Sequence, residues 1–437
     1  MSKVRFVTFG CKANQYDTQV LREALVRRGW NESQEGAELV VMNTCTVTAE
    51  AGRKARQLAR RLHRESPATK IAMIGCLAES EPDVLRDLPG VEWVLTGGEA
   101  KKPIHFLREL GEEVSPEELG IPYGITEFSG HTRAFLKIQD GCDMACAYCI
   151  IPKVRGASRS RSIEELCSEV QRLVAAGHVE IVLCGIHIGH WGRDFGRSFH
   201  ELVRALAETH CSGPDGAPAE FRLRLSSIEA TEVTDDLLQV LVDRPDRIAP
   251  HLHMPLQSGD DEVLAAMNRW YTGDEYLERC LHIRGALDEP AFTTDVIVGF
   301  PGEEERNFAN SLRILKEGGF CKVHVFPFSA RPGTAVERLQ PVNSQDMRDR
   351  RMRLGELSNE LGLAFRTRLA GKVESVVPEG AAGLSGRYQR VRFDLDDWEG
   401  VLPKLVDVRL ELEERGPEDE PRLIGRPLTR DVAGASR

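Results

Sequence analysis

Short, continuous apolar runs alternate with helical patterns along most of this chain, and this alternation limits the possible folds more than any other feature. The first series has its apolar runs at residues 4–9, 39–42, 71–74 and 91–95. Strands that are apolar on both faces and separated by helices form parallel sheets, because each connection crosses back over the sheet. Residues 1–118 are therefore predicted to form an α/β domain with a parallel sheet.

A second series begins after residues 111–130, a segment rich in glycine, proline and glutamate that is interpreted as a linker. Its six apolar runs lie at residues 134–139, 181–184, 221–226, 251–256, 292–298 and 322–328. Six strands that alternate with helices predict a partial (β/α)6 barrel over residues 126–368, open on one side. A charged helix at residues 344–369 ends this part. Short strand-like runs with glycine turns then predict a small all-β barrel over residues 369–437.

Composition limits the class of protein. Hydrophobic residues make up 41% and charged residues 29% of the chain, as in globular proteins. No apolar run is long enough to cross a membrane and no signal peptide is evident, so the chain is expected in the cytoplasm. Eleven cysteines in a reducing compartment indicate metal ligands and a few buried thiols rather than disulfides. The net charge of −11 excludes a generally basic nucleic-acid binder, so RNA contact would need local basic patches.

A closely spaced cysteine motif follows the first strand of the second series. Cys142, Cys146 and Cys149 have the spacing CxxxCxxC, and three thiolates in one loop can hold three irons of a cubane cluster. The fourth iron then lacks a protein ligand and is open to a small molecule, on the face of the barrel where active sites form. The alternative is a zinc knuckle, which needs a fourth ligand, and the loop contains no further Cys or His.

Three dispersed cysteines share a position, because Cys11, Cys45 and Cys76 each lie just past an apolar run of the first series. Each alone is more often a small buried hydrophobe than a ligand. Open parallel sheets, however, bind ligands at the carboxyl ends of their strands, and the N-termini of the following helices favour an anionic cluster there. If the three strands are neighbours, the thiols form a second metal site. The remaining cysteines are interpreted as structural: Cys167, Cys184, Cys211, Cys280 and Cys321.

The sequence resembles the methylthiotransferase branch of radical S-adenosylmethionine (SAM) enzymes over nearly its whole length. The branch's three N-terminal cluster motifs are matched by residues 9–16 (FGCKANQY), 43–48 (NTCTVT) and 74–76 (IGC). Its radical SAM segments are matched by residues 139–152, 155–156, 224–229, 251–259, 295–303 and 324–328. The tail resembles a TRAM domain, a small RNA-binding β-barrel, but residues 386–391 (GRYQRV) depart from the usual pattern.

The resemblance implies two [4Fe-4S] clusters, one held by the CxxxCxxC cysteines with SAM at its open iron, the other held by the three dispersed cysteines. It also implies that a 5′-deoxyadenosyl radical removes hydrogen from C2 of a tRNA adenine, where a methylthio group is then attached. The motif wording is most similar to enzymes that act on N6-threonylcarbamoyladenosine next to the anticodon. The implied partners are tRNA, an electron donor such as flavodoxin or ferredoxin, and a sulfur donor. The alternatives are methylthiolation of isopentenyladenosine or of a ribosomal-protein aspartate and, in a different class, a zinc-holding RNA-binding module.

Five residues after barrel strands are candidates for SAM binding in this arrangement. Gly185 follows the second strand, where a glycine lets the backbone approach the amino end of SAM. Ser227 and Glu229 follow the third strand, where polar side chains can reach the ribose, although a helix N-cap pair is the alternative. Gly299 and Gly302 follow the fifth strand, near the expected adenine position, with a tight turn as the alternative.

Basic residues near the expected site are the candidates for contact with RNA phosphates. They form a dense run after the second cysteine motif and a shorter one after the CxxxCxxC loop, the latter also suited to SAM. The alternative for the first run is an ordinary solvated helix face. The candidates are Arg53, Lys54, Arg56, Arg60, Arg61, Arg155, Arg159 and Arg161.

Overall fold

A computed structural model describes residues 2–46, 49–98, 102–115, 124–394, 398, 403–413 and 421–428. The N-terminal strands are β1 Lys3–Thr8, β2 Asn31–Glu32, β3 Leu39–Thr44, β4 Lys70–Gly75 and β5 Val91–Val94. They pair in parallel in the order β2-β1-β3-β4-β5. The helices are α1 Lys12–Arg27, α2 Ala49–Glu65, α3 Cys76–Ser80, α4 Pro82–Arg86 and α5 Pro103–Glu109. The predicted parallel-sheet α/β domain is confirmed.

The central strand β3 shows why the strand sequences of this sheet are continuously apolar. Leu39 and Val41 pack into the hydrophobic cluster on one face of the sheet, and Val40 and Met42 pack into the cluster on the other. Helices cover both faces, so every position of the strand is buried. The carboxyl ends of the strands form the edge that faces the middle of the chain, where Cys76 packs against Ile150 and Val154.

The middle of the chain forms a six-stranded partial barrel. Its strands are β6 Arg133–Lys137, β9 Glu180–Cys184, β10 Arg222–Leu225, β11 His251–His253, β12 Ala291–Val298 and β13 Lys322–Pro327, and a short antiparallel pair joins β7 Gln139–Asp140 to β8 Arg159–Ser160. Two parallel three-stranded sheets, β6-β9-β10 and β11-β12-β13, are joined by bridges that pair Leu223 with Ile248 and Ser227 with His253. In the described residues β6 and β13 do not pair, so the barrel is open on one side, as predicted.

Helices surround this barrel, and a long helix leads to the C-terminal domain. The helices are α6 Ile151–Arg155, α7 Ile163–Ala175, α8 Phe199–Ala207, α9 Asp235–Asp243, α10 Asp261–Ala266, α11 Gly273–Ala286, α12 Glu305–Gly318 and α13 Ser344–Leu369. None of the described helices combines the length and the apolarity that crossing a membrane requires.

The C-terminal domain is a closed five-stranded barrel, which confirms the predicted all-β fold. Its strands are β14 Val373–Glu379, β15 Ala382–Ser385, β16 Arg390–Phe393, β17 Val406–Glu413 and β18 Arg422–Pro427. They close in the order β14-β15-β16-β18-β17. Residue 118, the predicted end of the first domain, lies outside the described residues, and the three domain ranges stay predictions.

Candidate active site

The three dispersed cysteines lie at one edge of the N-terminal sheet. Strands β1, β3 and β4 are neighbours in register, so Cys11, Cys45 and Cys76 follow adjacent carboxyl ends. The chain before Cys11 passes so close to Cys45 that a Cβ at Gly10 would lie 2.7 Å from Cys45 Cβ and 2.9 Å from its Sγ. Gly10 also has a φ of 107°, which glycine adopts without strain. The sheet topology thus brings together the thiols that the sequence predicts as one ligand set.

Two helices begin at these cysteines. Cys11 is the N-cap residue of α1, and α3 begins at Cys76. Free backbone N–H groups at helix N-termini favour a negative charge nearby. Three thiols in such surroundings fit an anionic thiolate-ligated cluster.

Arg155 joins this edge to the barrel. Its side chain is fully buried, and its Nε donates to Cys76 Sγ at 3.4 Å. The guanidinium also donates to Asp140 at 2.7 Å and to Asn14, and it lies 3.4 Å from Asp17. Arg155 is therefore an interdomain residue beside a proposed ligand. Its contact with RNA stays a prediction, which the burial and pairing of its charge disfavour.

The other two arginines of this segment differ from each other. Arg161 has a side chain only 8% exposed and donates to Glu169 at 2.7 Å and to the Tyr16 hydroxyl at 3.0 Å. This second interdomain contact disfavours a phosphate contact at Arg161, and its contact with RNA stays a prediction. Arg159 is exposed, and its RNA contact stays a prediction.

The CxxxCxxC loop is held against the barrel by residues 267–269. Ala147 N donates to Met267 O at 2.9 Å, and Arg269 Nη1 donates to Cys146 Sγ at 3.3 Å. Burial raises the pKa of Cys149 to about 11 and also raises that of Cys146. Thiolates at these positions therefore need a positive partner, and metal ligation supplies one because it displaces the thiol proton. The donor set fits the [4Fe-4S] cluster that the motif predicts.

Arg269 belongs to no recognised motif, so the sequence analysis did not identify it as a residue of the site. Its side chain is 3% exposed, pairs with Glu229, donates to the Tyr271 hydroxyl at 3.1 Å and lies 4.3 Å from the Trp270 ring centre. Burial raises the pKa of Glu229, although the charge of Arg269 opposes this rise. The structure therefore places Glu229 beside the cysteine loop, while its contact with SAM stays a prediction.

His187 lies on the other side of the loop, with Nδ1 3.6 Å from Cys142 Sγ. The structure shows which residue orients this histidine. Glu232 lies 2.9 Å from His187 Nε2 and 3.1 Å from His190 Nε2. Although burial opposes ionisation, hydrogen bonds with the two histidines lower the pKa of Glu232 to about 2. The carboxylate therefore orients His187 toward the cysteine.

The remaining candidates for SAM contact lie in tight loops near this site. A Cβ at Gly185 would lie 2.9 Å from Gln139 O, so close packing already requires a glycine there. Gly299 and Gly302 have φ values of 79° and 85°, as in the turn alternative. Ser227 is exposed at the β10–β11 bridge. Their contacts with SAM stay predictions.

The basic helix α2 presents an exposed charged face beside the site. Arg53 and Lys54 pair with Glu50, Arg56 pairs with Glu81 at 2.9 Å, and Arg61 lies 3.8 Å from Glu65. Arg60 is exposed and has no charged partner within the part of the chain that the structure describes. RNA contact along α2 stays a prediction, with Arg60 the most available cation.

A cleft of about 540 Å3 opens beside the CxxxCxxC loop. One wall belongs to that loop, with Tyr148 and Cys149, and another to the start of α2, with Glu50. The floor is formed by β12 and β13 and by the segment that follows β13. Ile150, which lines the cleft, also packs against Cys76, so the cleft adjoins residues that surround the second cysteine set.

Family models and solved structures define the class. Residues 3–97 match the uncharacterized protein family UPF0004, and residues 136–315 match the radical SAM superfamily. The fold is similar to that of the radical SAM methyltransferase TsrM from Kitasatospora setae, with a TM-score of 0.55 and 13% identity over 87% of this chain and 79% of that one. Together these features define a radical SAM enzyme, a class that binds SAM and a [4Fe-4S] cluster.

Relatives of similar length define the branch. The chain is 36% identical to the threonylcarbamoyladenosine tRNA methylthiotransferase MtaB of Bacillus subtilis over 94% of both chains, and 34% identical to that of Thermotoga maritima over 87% of both. It is 33% identical to the tRNA-2-methylthio-N(6)-dimethylallyladenosine synthase of Cereibacter sphaeroides over 93% of this chain and 95% of that one. The chain belongs to the methylthiotransferase family of radical SAM enzymes. The enzyme interpretation is thereby confirmed over the non-enzymatic zinc module.

Proposed function

We propose that this enzyme inserts a methylthio group at C2 of N6-threonylcarbamoyladenosine next to the anticodon of tRNA. The observation that carries the proposal is a cleft that is lined by Cys149 of one cysteine set and by Ile150, which packs against Cys76 of the other. The substrate class is supported by the relatives at 36% and 34% identity, whose names specify this nucleoside. The synthase at 33% identity makes isopentenyl-type adenosine the alternative substrate.

Two sets of cysteines in this chain would each hold one cluster. Cys142, Cys146 and Cys149 would hold the SAM-binding cluster, and Cys11, Cys45 and Cys76 would hold a second one. When bound, the first cluster would supply the electron that cleaves one SAM to methionine and a 5′-deoxyadenosyl radical, the second cluster would supply the sulfur, and a second SAM would supply the methyl group. The protein contributes positioning and exclusion of water, because the C2 hydrogen has no acidity that a side chain could exploit.

Buried cations support both sites electrostatically. Arg269 donates to Cys146 Sγ, and Arg155 donates to Cys76 Sγ. Hydrogen bonds to sulfur and nearby positive charge stabilise the anionic form of a thiolate-ligated cluster. Each predicted cluster is thus paired with one buried arginine, and Arg155 also fixes the N-terminal sheet to the barrel.

The partners follow from the reaction. The substrate is tRNA, with α2 and the exposed Arg159 as the surfaces that we expect to face its phosphates. An electron donor such as flavodoxin or ferredoxin must reduce the SAM-binding cluster, and a sulfur donor must restore the sulfur that each turnover removes.

The proposal is tested with anaerobically reconstituted enzyme and three anticodon stem-loops that carry threonylcarbamoyladenosine, isopentenyladenosine or unmodified adenosine. Mass spectrometry is expected to find the 2-methylthio product with the first RNA, and methylthio product from the isopentenyl RNA alone would overturn the substrate assignment. Cys45→Ala is expected to keep 5′-deoxyadenosine formation and lose the methylthio product. Cys184→Ala, at a buried cysteine outside both sets, is the matched control.

A further inference from the structure

Arg331 is half-buried, and part of its guanidinium has no hydrogen-bond partner among the described residues. It lies after β13, and its side chain lines the cleft beside the CxxxCxxC loop. Its Nε and one Nη are inaccessible to solvent and make no hydrogen bond among the described residues. Leaving such donors unpaired costs about 1–3 kcal/mol each, so native proteins rarely keep them without a ligand.

The segment that carries Arg331 is fixed. Thr334 N donates to Arg331 O at 3.1 Å, and Gly333 N donates to Glu337 at 2.8 Å. Lys153, from the helix that follows the CxxxCxxC loop, donates to Gly333 O. Arg331 is therefore positioned by the same loop that carries the SAM-cluster cysteines.

The acidic groups around Arg331 are already paired elsewhere. Glu81 accepts from Arg56 at 2.9 Å, and Glu50 pairs with two cations at the start of α2. Asp295 Oδ1 lies 3.3 Å from His253 Nε2. An anion that entered the cleft would thus meet the guanidinium of Arg331, whose Nε and one Nη have no hydrogen-bond partner among the described residues.

An aromatic ring lies in the same cleft. Phe326, in β13, is 43% exposed, which is unusual for a large apolar side chain next to a buried strand. Exposed aromatic rings in nucleic-acid-binding clefts stack on unpaired bases, and arginine beside them binds anionic oxygen atoms. Phe326 could thus stack on the base of a nucleotide, and Arg331 could bind an anionic group of the same nucleotide.

We propose that Arg331 binds an anionic group of the substrate nucleotide while Phe326 stacks on its base. This inference rests on the proposed function, because it takes an RNA nucleotide as the occupant of the cleft. The anion has two possible sources of the same oxygen chemistry, the carboxylate of the threonylcarbamoyl group and an adjacent backbone phosphate. Both place the adenine beside the CxxxCxxC loop.

The test measures equilibrium binding of fluorescent anticodon stem-loops to the reconstituted enzyme without reductant. Arg331→Gln is expected to weaken binding about tenfold, the effect of losing about 1.4 kcal/mol from a hydrogen bond to a charged group. Loss confined to the threonylcarbamoyl RNA identifies the carboxylate. Equal loss with unmodified RNA, together with a salt dependence reduced by about one ion, identifies the phosphate.

Controls separate this inference from folding and from the proposed function. Arg338→Gln removes an exposed charge from the same segment outside the cleft and is expected to leave affinity unchanged. Phe326→Leu is expected to weaken binding of all the RNAs several-fold, since stacking is worth about 1–3 kcal/mol per base. Iron content and circular dichroism verify that each variant is folded, and Arg331→Lys, which keeps the charge, is expected to retain part of the affinity.

Affinity of Arg331→Gln within twofold of the wild type on every RNA would overturn the inference. So would tight binding of all RNAs by Phe326→Leu. Product formation by the wild-type enzyme is measured on the same RNAs. If the wild type forms the methylthio product but Arg331→Gln binds RNA normally, the proposed function holds and this inference fails. If Arg331→Gln weakens RNA binding but the wild type forms no product, the cleft binds RNA and the proposed reaction is wrong.

Discussion

Replacement of Glu180 by glutamine is predicted to loosen the contact between the barrel and the C-terminal domain. Glu180 is fully buried and accepts from Arg224 at 2.9 Å and from Arg222 at 2.8 Å. Both arginines continue across the interface, where Arg222 donates to Ser375 O at 2.8 Å and Arg224 donates to Ser385 O at 2.9 Å. One carboxylate therefore compensates the two cations that hold the all-β domain.

The magnitude follows from burial and from the pKa of this carboxyl group. Removal of one partner from a buried ion pair costs about 3–5 kcal/mol. Although burial opposes ionisation, the charges of Arg224 and Arg222 lower the pKa of Glu180 from 4.5 to about 2. This lowering corresponds to about 3 kcal/mol of stability. Because the folded pKa is depressed, the contribution is complete above about pH 4.5 and is lost as the pH falls toward 2.

The assay is urea unfolding followed by circular dichroism, at neutral pH and at steps between pH 5 and pH 3. Glu180→Gln is expected to lower the free energy of unfolding by about 3 kcal/mol at neutral pH, and the difference from wild type is expected to shrink as the solution is acidified. Glu278→Gln, at an exposed position of α11, is the control and is expected to change stability by less than about 0.5 kcal/mol. A loss below about 1 kcal/mol, or a difference that does not depend on pH, would refute this reasoning.

Three further predictions concern the N-terminal edge. Gly10→Ala is expected to remove about half of the bound iron while SAM cleavage persists, because the added Cβ would displace Cys45. The control is Gly29→Ala, which is expected to keep all the iron. Gly29 has a similar φ of 88°, but no atom lies within 4 Å of the added Cβ. Arg155→Met is expected to destabilise the protein by about 3–5 kcal/mol in the same urea assay, and a loss below about 1 kcal/mol would show that its buried ion pairs do not hold the domains together. Arg60→Gln is expected to weaken stem-loop binding and to reduce its salt dependence by about one ion, and an unchanged salt dependence would exclude a phosphate contact at this position.

Periodic signals in the sequence predicted the architecture well. The helix predicted at residues 344–369 occurs at Ser344–Leu369. The first helix begins at Lys12, directly at the cysteine motif. The two-residue strand Asn31–Glu32 was not predicted, since so short a segment carries no periodicity.

The charged residues of the site could not be assigned in the same way. Arg155 and Arg161 lie in a basic run that is typical of an exposed surface, but Asp17 and Glu169 come from other elements and bury them. Arg269 and Arg331 belong to no cysteine motif, and only the fold brings them to the cysteine loop and the cleft. Partnerships between distant residues depend on tertiary structure, which local pattern does not encode.

Iron analysis of the reconstituted protein tests most directly whether the two cysteine sets hold separate clusters. The wild type is expected to bind about eight irons per chain. A variant with alanine at positions 11, 45 and 76, and another with alanine at positions 142, 146 and 149, are each expected to bind about four. About four irons in the wild type, or undiminished iron in either triple variant, would contradict the assignment.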